Sequence, residues 1–165
     1  MRSGPKPRFR SLQWLFPLAV TIHNLEEAIW LPRWSALHPA YVPWQISPLA
    51  FRIGVVLLTA AAFFITAKSV RAIGKRVWTY LLLAYVAAMF LNVFVPHLLG
   101  SLYLRAYTPG VVSAVVVVLP VTALLLIRAV RERTIATPLI ATLVFGIPVA
   151  IAAAVSMLFI ARLPL

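Results

Sequence analysis

The sequence predicts an all-α fold, a polytopic transmembrane helix bundle of about five spans that makes a single domain over residues 1–165. Three observations carry that prediction. Hydrophobic residues make up 63% of the chain and the mean hydropathy is +1.00, more apolar surface than a soluble domain of this length can bury. The apolar residues fall into five segments, near 11–31, 49–67, 77–99, 109–127 and 138–160, each close to the ~20 helical residues that cross ~30 Å of hydrocarbon at ~1.5 Å per residue. The net charge of +12 is dealt out between those segments instead of being gathered on one face, which identifies topology determinants and excludes a nucleic-acid surface.

The first segment follows Arg2, Lys6, Arg8 and Arg10. It differs from a secretory signal because its apolar core runs into His-Asn-Leu-Glu-Glu, with no small-residue cleavage site, and then resumes at Ala28 to Leu31. The second ends at Lys68 and Arg71, with Lys75 and Arg76 before the third. The fourth ends at Arg128, Arg131 and Arg133, around a Glu132 read as part of a solvated, charge-balanced turn. Eleven of the fifteen Lys and Arg residues therefore share one side, which the positive-inside rule makes cytoplasmic; the N-terminus is inside and, after five spans, the C-terminus outside. Arg33, Arg52, Arg105 and Arg162 face out. Trp30, Trp34, Tyr41 and Trp44 form the outer aromatic belt, and Trp14 and Trp78 the inner one. The expected location is the bacterial cytoplasmic membrane, surrounded by its lipids.

Two of only three acidic residues are adjacent, in His23-Asn24-Leu25-Glu26-Glu27, inside the first span. An intramembrane carboxylate costs roughly 2.5 to 3.5 kcal/mol even on lenient insertion scales, so this pair needs protons, a cation or a partner. Helical spacing puts His23, Glu26 and Glu27 on one face, with Asn24 and Leu25 turned elsewhere. Counted from the inner end of each span, His23 lies roughly 18 Å up, Glu26, Glu27, Asn92 and Arg52 roughly 22 to 24 Å, and His97 about 30 Å. Three helices thus place ionisable groups in one layer of the outer half. Pro96 lacks a backbone donor and displaces the carbonyl of Asn92 beside them. His38, Tyr103 and Tyr107 are read as interfacial residues.

On His23, Glu26 and Glu27, with His97, Gly100 and Gly110 downstream, the chain resembles the HXXEE-motif bacterial membrane proteins, a family of largely unassigned biochemical role. The resemblance covers most of the chain and implies a site at those residues without naming a substrate.

With no cysteines, a metal here must take nitrogen and oxygen. Two histidines and one glutamate suit a mononuclear zinc or iron with an open position: His23, His97 and either Glu26 or Glu27 as ligands, the other glutamate as general base, Asn92 as a cofactor-binding group and Arg52 or Arg105 steadying an oxyanion. That constellation predicts a metal-dependent hydrolase of a lipid-like substrate. A dinuclear carboxylate site is disfavoured by too few acids, a count that only a homodimer would double. The same residues also allow metal-free acid–base isomerisation of a lipid, with Glu27 paired to Arg52, a structural or accessory subunit, or a proton or cation passage. The last is opposed by inner halves that offer only Thr59, Thr66, Tyr85 and Ser156. Oligomeric state and partner subunits are not fixed by the sequence.

Overall fold

The computed structural model describes residues 8–42, 46–71 and 76–134, and further along 144, 146–149, 151–152, 156 and 159–160. Trp44, the basic residues Arg2, Lys6, Lys75 and Arg162, and much of the expected span 138–160 lie outside the described residues. Within them every regular element is helical: α1 (Phe9–Leu12), α2 (Leu15–Leu37), α3 (Pro48–Arg71), α4 (Arg76–Asn92), a wide turn at Val93–Leu98, α5 (Leu99–Leu104), then α6 (Val111–Ser113), a π-helical turn at Ala114–Val118 and α7 (Leu119–Arg131). The described residues between 144 and 160 are helical too.

Three rods among the described residues are long and apolar enough to cross a membrane: Pro48–Arg71, Val77–Leu104 and Val111–Arg131. They coincide with the second, third and fourth expected spans. Helix α2, 23 residues long, does not join them on composition because the HNLEE segment sits at its middle. Those polar groups are turned into the bundle, where each finds a protein partner, so α2 presents Leu18, Ile22, Leu25 and Ile29 outward.

Helix α2 packs along α3, α3 along α4, and α4 along α7, while α2 returns against the α6–α7 rod and closes the ring. Phe16 and Val20 of α2 meet Leu82, Leu83 and Val86 of α4 and Leu125 of α7 in the main core, where Phe16 sits edge-on to Tyr85 with ring centroids 5.1 Å apart. The polar layer lies farther along α2, beyond this plug. Asn24, facing α3 and away from the histidine, donates to Thr59 Oγ1 at 2.8 Å. Gly146 brings the last helix onto α4 so closely that a Cβ there would lie 2.7 Å from the Ala87 Cβ and 2.9 Å from backbone.

Two prolines shape the upper half in different ways. The apolar run stops being continuous at Pro32, yet α2 extends to Leu37. Proline at 32 cannot donate to the Ala28 carbonyl four residues earlier, and Arg52 Nε donates to that carbonyl at 3.3 Å instead. The rod Val77–Leu104 breaks at Val95, whose φ of −128° and ψ of 116° are extended, as the residue before a proline prefers. Glu132 is exposed as expected, and its carboxylate accepts the Phe9 N–H at 2.9 and 3.0 Å, capping α1.

Candidate metal centre

Residues five apart on an unbroken α-helix point about 140° away from each other. The break at Val95 cancels that divergence: Asn92 and His97 converge, with Asn92 Nδ2 at 3.0 Å from His97 Nε2. His23 enters from α2, and its ring meets that of His97 edge-to-face with centroids 4.7 Å apart. Both histidines are buried.

The outer nitrogen of each ring is committed. His97 Nδ1 lies 3.1 Å from the Pro109 carbonyl oxygen, which can only accept. His23 Nδ1 lies 3.1 Å from Ser113 Oγ, and that hydroxyl donates onward to the Gly110 carbonyl at 3.3 Å, leaving its lone pairs for the ring N–H. His97 Nδ1 therefore carries the proton, and His23 Nδ1 does so with the Ser113 hydroxyl turned to Gly110; each Nε2 lone pair then points into the site, the arrangement that second-sphere acceptors impose on metal-binding histidines. Asn92 Nδ2 reaches both, lying 3.5 Å from His23 Nε2 as well.

Glu27 completes the group. Its Oε1 is 3.5 Å from His97 Nε2 and 3.9 Å from His23 Nε2, and one ligand atom from each of His23, Glu27 and His97 lies within 4.8 Å of the others. Tetrahedral zinc with bonds of about 2.0–2.1 Å separates its ligand atoms by roughly 3.3 Å, so small side-chain adjustments would close this triangle on an ion. The donor chemistry fits: two neutral imidazoles and a carboxylate suit zinc or iron.

Glu26 has a different task. Its Oε2 accepts the Ser113 N–H at 2.8 Å, and its Oε1 accepts the Gly110 N–H at 3.1 Å and the Tyr107 hydroxyl at 2.7 Å. It caps the start of the Val111–Arg131 rod from across the bundle and ties the 105–110 loop to α2. Partial desolvation and this bond to Glu26 push the Tyr107 phenol above the ordinary tyrosine range, so it stays a donor. Of the two glutamates, Glu27 stands beside the histidines.

Arg52 is brought to the correct level but not to the acids. It is exposed, bonds to the Ala28 carbonyl, and forms no ion pair with Glu26 or Glu27; the pairing with Glu27 that metal-free chemistry called for is not made. Arg105 closes α5 in a left-handed conformation and is also exposed. His38 stacks on Trp34 with centroids 4.4 Å apart and its Nδ1 bonds the Trp34 carbonyl, outside the cluster.

Ser113 and Pro109 are neighbours of the two histidines that the sequence did not single out, and they flank Gly110, which the family resemblance did. Gly110 has φ +89°, and a Cβ there would meet His97 Cε1 at 2.6 Å and His23 Cε1 at 3.0 Å, so the backbone of this turn is packed directly on both rings. A lone serine after Pro-Gly in the run Val-Val-Ser-Ala-Val-Val was the available signal. A cavity of about 450 Å³ opens onto Glu27 and His97 between walls that include Leu31, Trp34, Ile46, Tyr103 and Leu104. A second cleft, of about 750 Å³, touches Glu26, Trp30, Arg33 and Tyr107 and shares only Trp34 with the first.

A family profile described as "protein of unknown function with HXXEE motif" matches residues 14–125, a span that holds every residue of this cluster. Among curated proteins the chain is similar to "Uncharacterized protein YrkK" of Bacillus subtilis (strain 168), 27% identical over 134 residues that cover 80% of this chain and 84% of the relative. No solved structure is significantly similar.

Proposed function

The chain belongs to the HXXEE-motif family, and from that premise we propose that it is a metal-dependent membrane hydrolase acting on a lipid-like substrate in the outer half of the bacterial cytoplasmic membrane. One observation carries the reading: the Pro109 carbonyl and the Ser113 hydroxyl hold both Nδ1 protons outward, so two Nε2 lone pairs and the Glu27 carboxylate face one point. A purely structural polar clasp does not require both imidazoles to present lone pairs to the same carboxylate.

In this reading His23, His97 and Glu27 hold a single zinc or iron ion. When bound, such an ion polarises a carbonyl or phosphoryl oxygen and lowers the pKa of water to about 7. Glu27, 20% exposed where the cavity begins, has a second carboxylate oxygen that can accept the proton released. The 450 Å³ cavity lies in the usual range for small-molecule sites, about 300–1,000 Å³, and its wall of leucine, isoleucine and aromatic side chains fits an acyl or isoprenoid chain, placing the scissile polar group at Glu27 and His97.

The test is elemental analysis of the full chain purified in detergent, beside His23→Ala and Glu27→Gln, followed by hydrolysis of p-nitrophenyl esters of increasing acyl length. We expect near-stoichiometric zinc or iron in the wild type, its loss from both variants, and ester cleavage that follows metal content. A wild-type protein that takes up neither metal after incubation with each would sink the proposal.

A further inference from the structure

We infer that Asn92 is a fourth ligand of the ion, through its side-chain oxygen, so that the donor set is two imidazole nitrogens, one carboxylate oxygen and one amide oxygen, with a fifth position left open for water or substrate. The inference rests on the metal reading above and extends it to a residue outside the three-member cluster.

Asn92 touches both imidazoles. Its amide nitrogen lies 3.0 Å from His97 Nε2 and 3.5 Å from His23 Nε2, and both nitrogens have their lone pairs turned inward by the partners on Nδ1. The amide N–H groups are therefore donors to the same two lone pairs that would bind a cation. An N–H pointed at those atoms and an ion bound to them exclude each other. The amide must turn when the ion arrives, and a half-turn of its terminal torsion puts Oδ1 where Nδ2 stood.

Three features make that turn cheap. Among the described residues the Asn92 side chain makes only these two hydrogen bonds, so rotation breaks nothing else. Its backbone sits at the end of α4, immediately before the wide turn Val93–Leu98, so its position is fixed by the same break that delivers His97. Glu27 Oε1, at 3.5 and 3.9 Å from the two Nε2 atoms, approaches them as a separate oxygen donor, so an amide oxygen beside the rings raises the set to four without a second negative charge. In the metal-free protein the same amide quenches two buried lone pairs that would otherwise lack donors.

This assigns Asn92 two states, a donor to both histidines without metal and an oxygen ligand with it. A residue that merely orients the rings would have only the first. The discriminating measurement uses Co²⁺ as the probe, because its visible bands report coordination number and donor type. Wild type, Asn92→Ala and Asn92→Asp, purified as full chains in detergent, are titrated with Co²⁺ and then competed with Zn²⁺. Asn92→Ala should weaken Co²⁺ at least about 10-fold, the scale at which even outer partners matter, and shift its bands. Asn92→Asp, which keeps the oxygen and adds charge, should bind at least as tightly as wild type with bands close to it. Equal affinity and unchanged bands in Asn92→Ala would overturn the inference while leaving the three-ligand site standing. Weakened binding with unchanged bands would overturn it too, in favour of an orienting role. Failure of wild type itself to bind Co²⁺ or Zn²⁺ would remove the metal reading and this inference with it. Should Asn92→Ala not fold, Asn92→Asp decides alone: restored wild-type bands uphold the ligand, and loss of Co²⁺ overturns it.

Discussion

Gly110→Ala should disable the proposed metal site while sparing the fold. The residue sits at φ +89° and its added Cβ would lie 2.6 Å from His97 Cε1 and 3.0 Å from His97 Nδ1 and His23 Cε1. The backbone term is modest, since a left-handed conformation costs an alanine about 1–2 kcal/mol. In a chain this size that is roughly 2–4 °C of Tm per kcal/mol. The steric term is the larger one for function. Ordinary carbon contacts begin near 3.5 Å, so the His97 ring must retreat by about 1 Å, beyond the ~0.5 Å within which a site keeps its geometry. The retreat also pulls His97 Nδ1 from the Pro109 carbonyl that fixes its tautomer. The assay pairs thermal unfolding in detergent with zinc or iron content. The expected result is a Tm a few degrees lower and metal content reduced by at least about 10-fold. Gly100→Ala is the control, because its Cβ would meet only Thr108 Cγ2 at an ordinary 3.8 Å, and it should match wild type in both measurements. A Gly110→Ala protein that retains full metal, or a Gly100→Ala protein that loses as much, would refute the reasoning that contact with the rings is what this turn provides.

The two adjacent glutamates should separate cleanly: Glu27→Gln loses metal with little change in Tm, whereas Glu26→Gln leaves the ligands in place but weakens the cap on Gly110 and Ser113, lowering stability by about 1–3 kcal/mol, both read by metal analysis beside thermal unfolding. Arg52→Ala should cost about 1 kcal/mol by stranding the Ala28 carbonyl, and that cost should shrink in a Pro32→Ala background, where residue 32 regains its N–H; additive effects in the double-mutant cycle would rule out the repair role. Gly146→Ala, with its Cβ 2.7–2.9 Å from Ala87 and the Ala88 nitrogen, should push the last helix off α4, seen as a lower Tm and faster proteolysis after residue 134; unchanged values would show that this contact is dispensable.

The spans were legible because hydrophobic length is a coarse signal: the expected segments 49–67, 77–99 and 109–127 sit inside or within two residues of rods at Pro48–Arg71, Val77–Leu104 and Val111–Arg131. The face of α2 was legible for the same kind of reason, since a 3.6-residue period fixes which side chains share a direction. What could not be read were compensations across helices. Nothing near Arg52 in sequence says that it will meet the carbonyl orphaned by Pro32, and nothing in Ser113 or Pro109 says that they will hold the protons of His23 and His97. Such partners are set by tertiary packing, which composition and periodicity do not encode one contact at a time. Pro96 stood between the two cases. Its disruption of the helix was visible, but that the disruption would swing His97 back over Asn92 depended on the conformation that Val95 adopts.

The separation of tasks between Glu26 and Glu27 follows from the helix itself. Consecutive residues on α2 diverge by about 100°, and positions three and four beyond His23 fall on opposite sides of it, at roughly −60° and +40°. One carboxylate is therefore delivered toward His97 and the other toward the turn at Gly110. Because that turn lies against both imidazoles, the glutamate that does not touch the histidines still fixes where their neighbouring backbone stands. A single carboxylate could not serve both sides, since holding the rod Val111–Arg131 takes both oxygens of Glu26. The paired acid in the motif thus answers a geometric need: histidine-facing and rod-facing contacts must be made from one helix at one height, and two adjacent residues are the shortest sequence that supplies both.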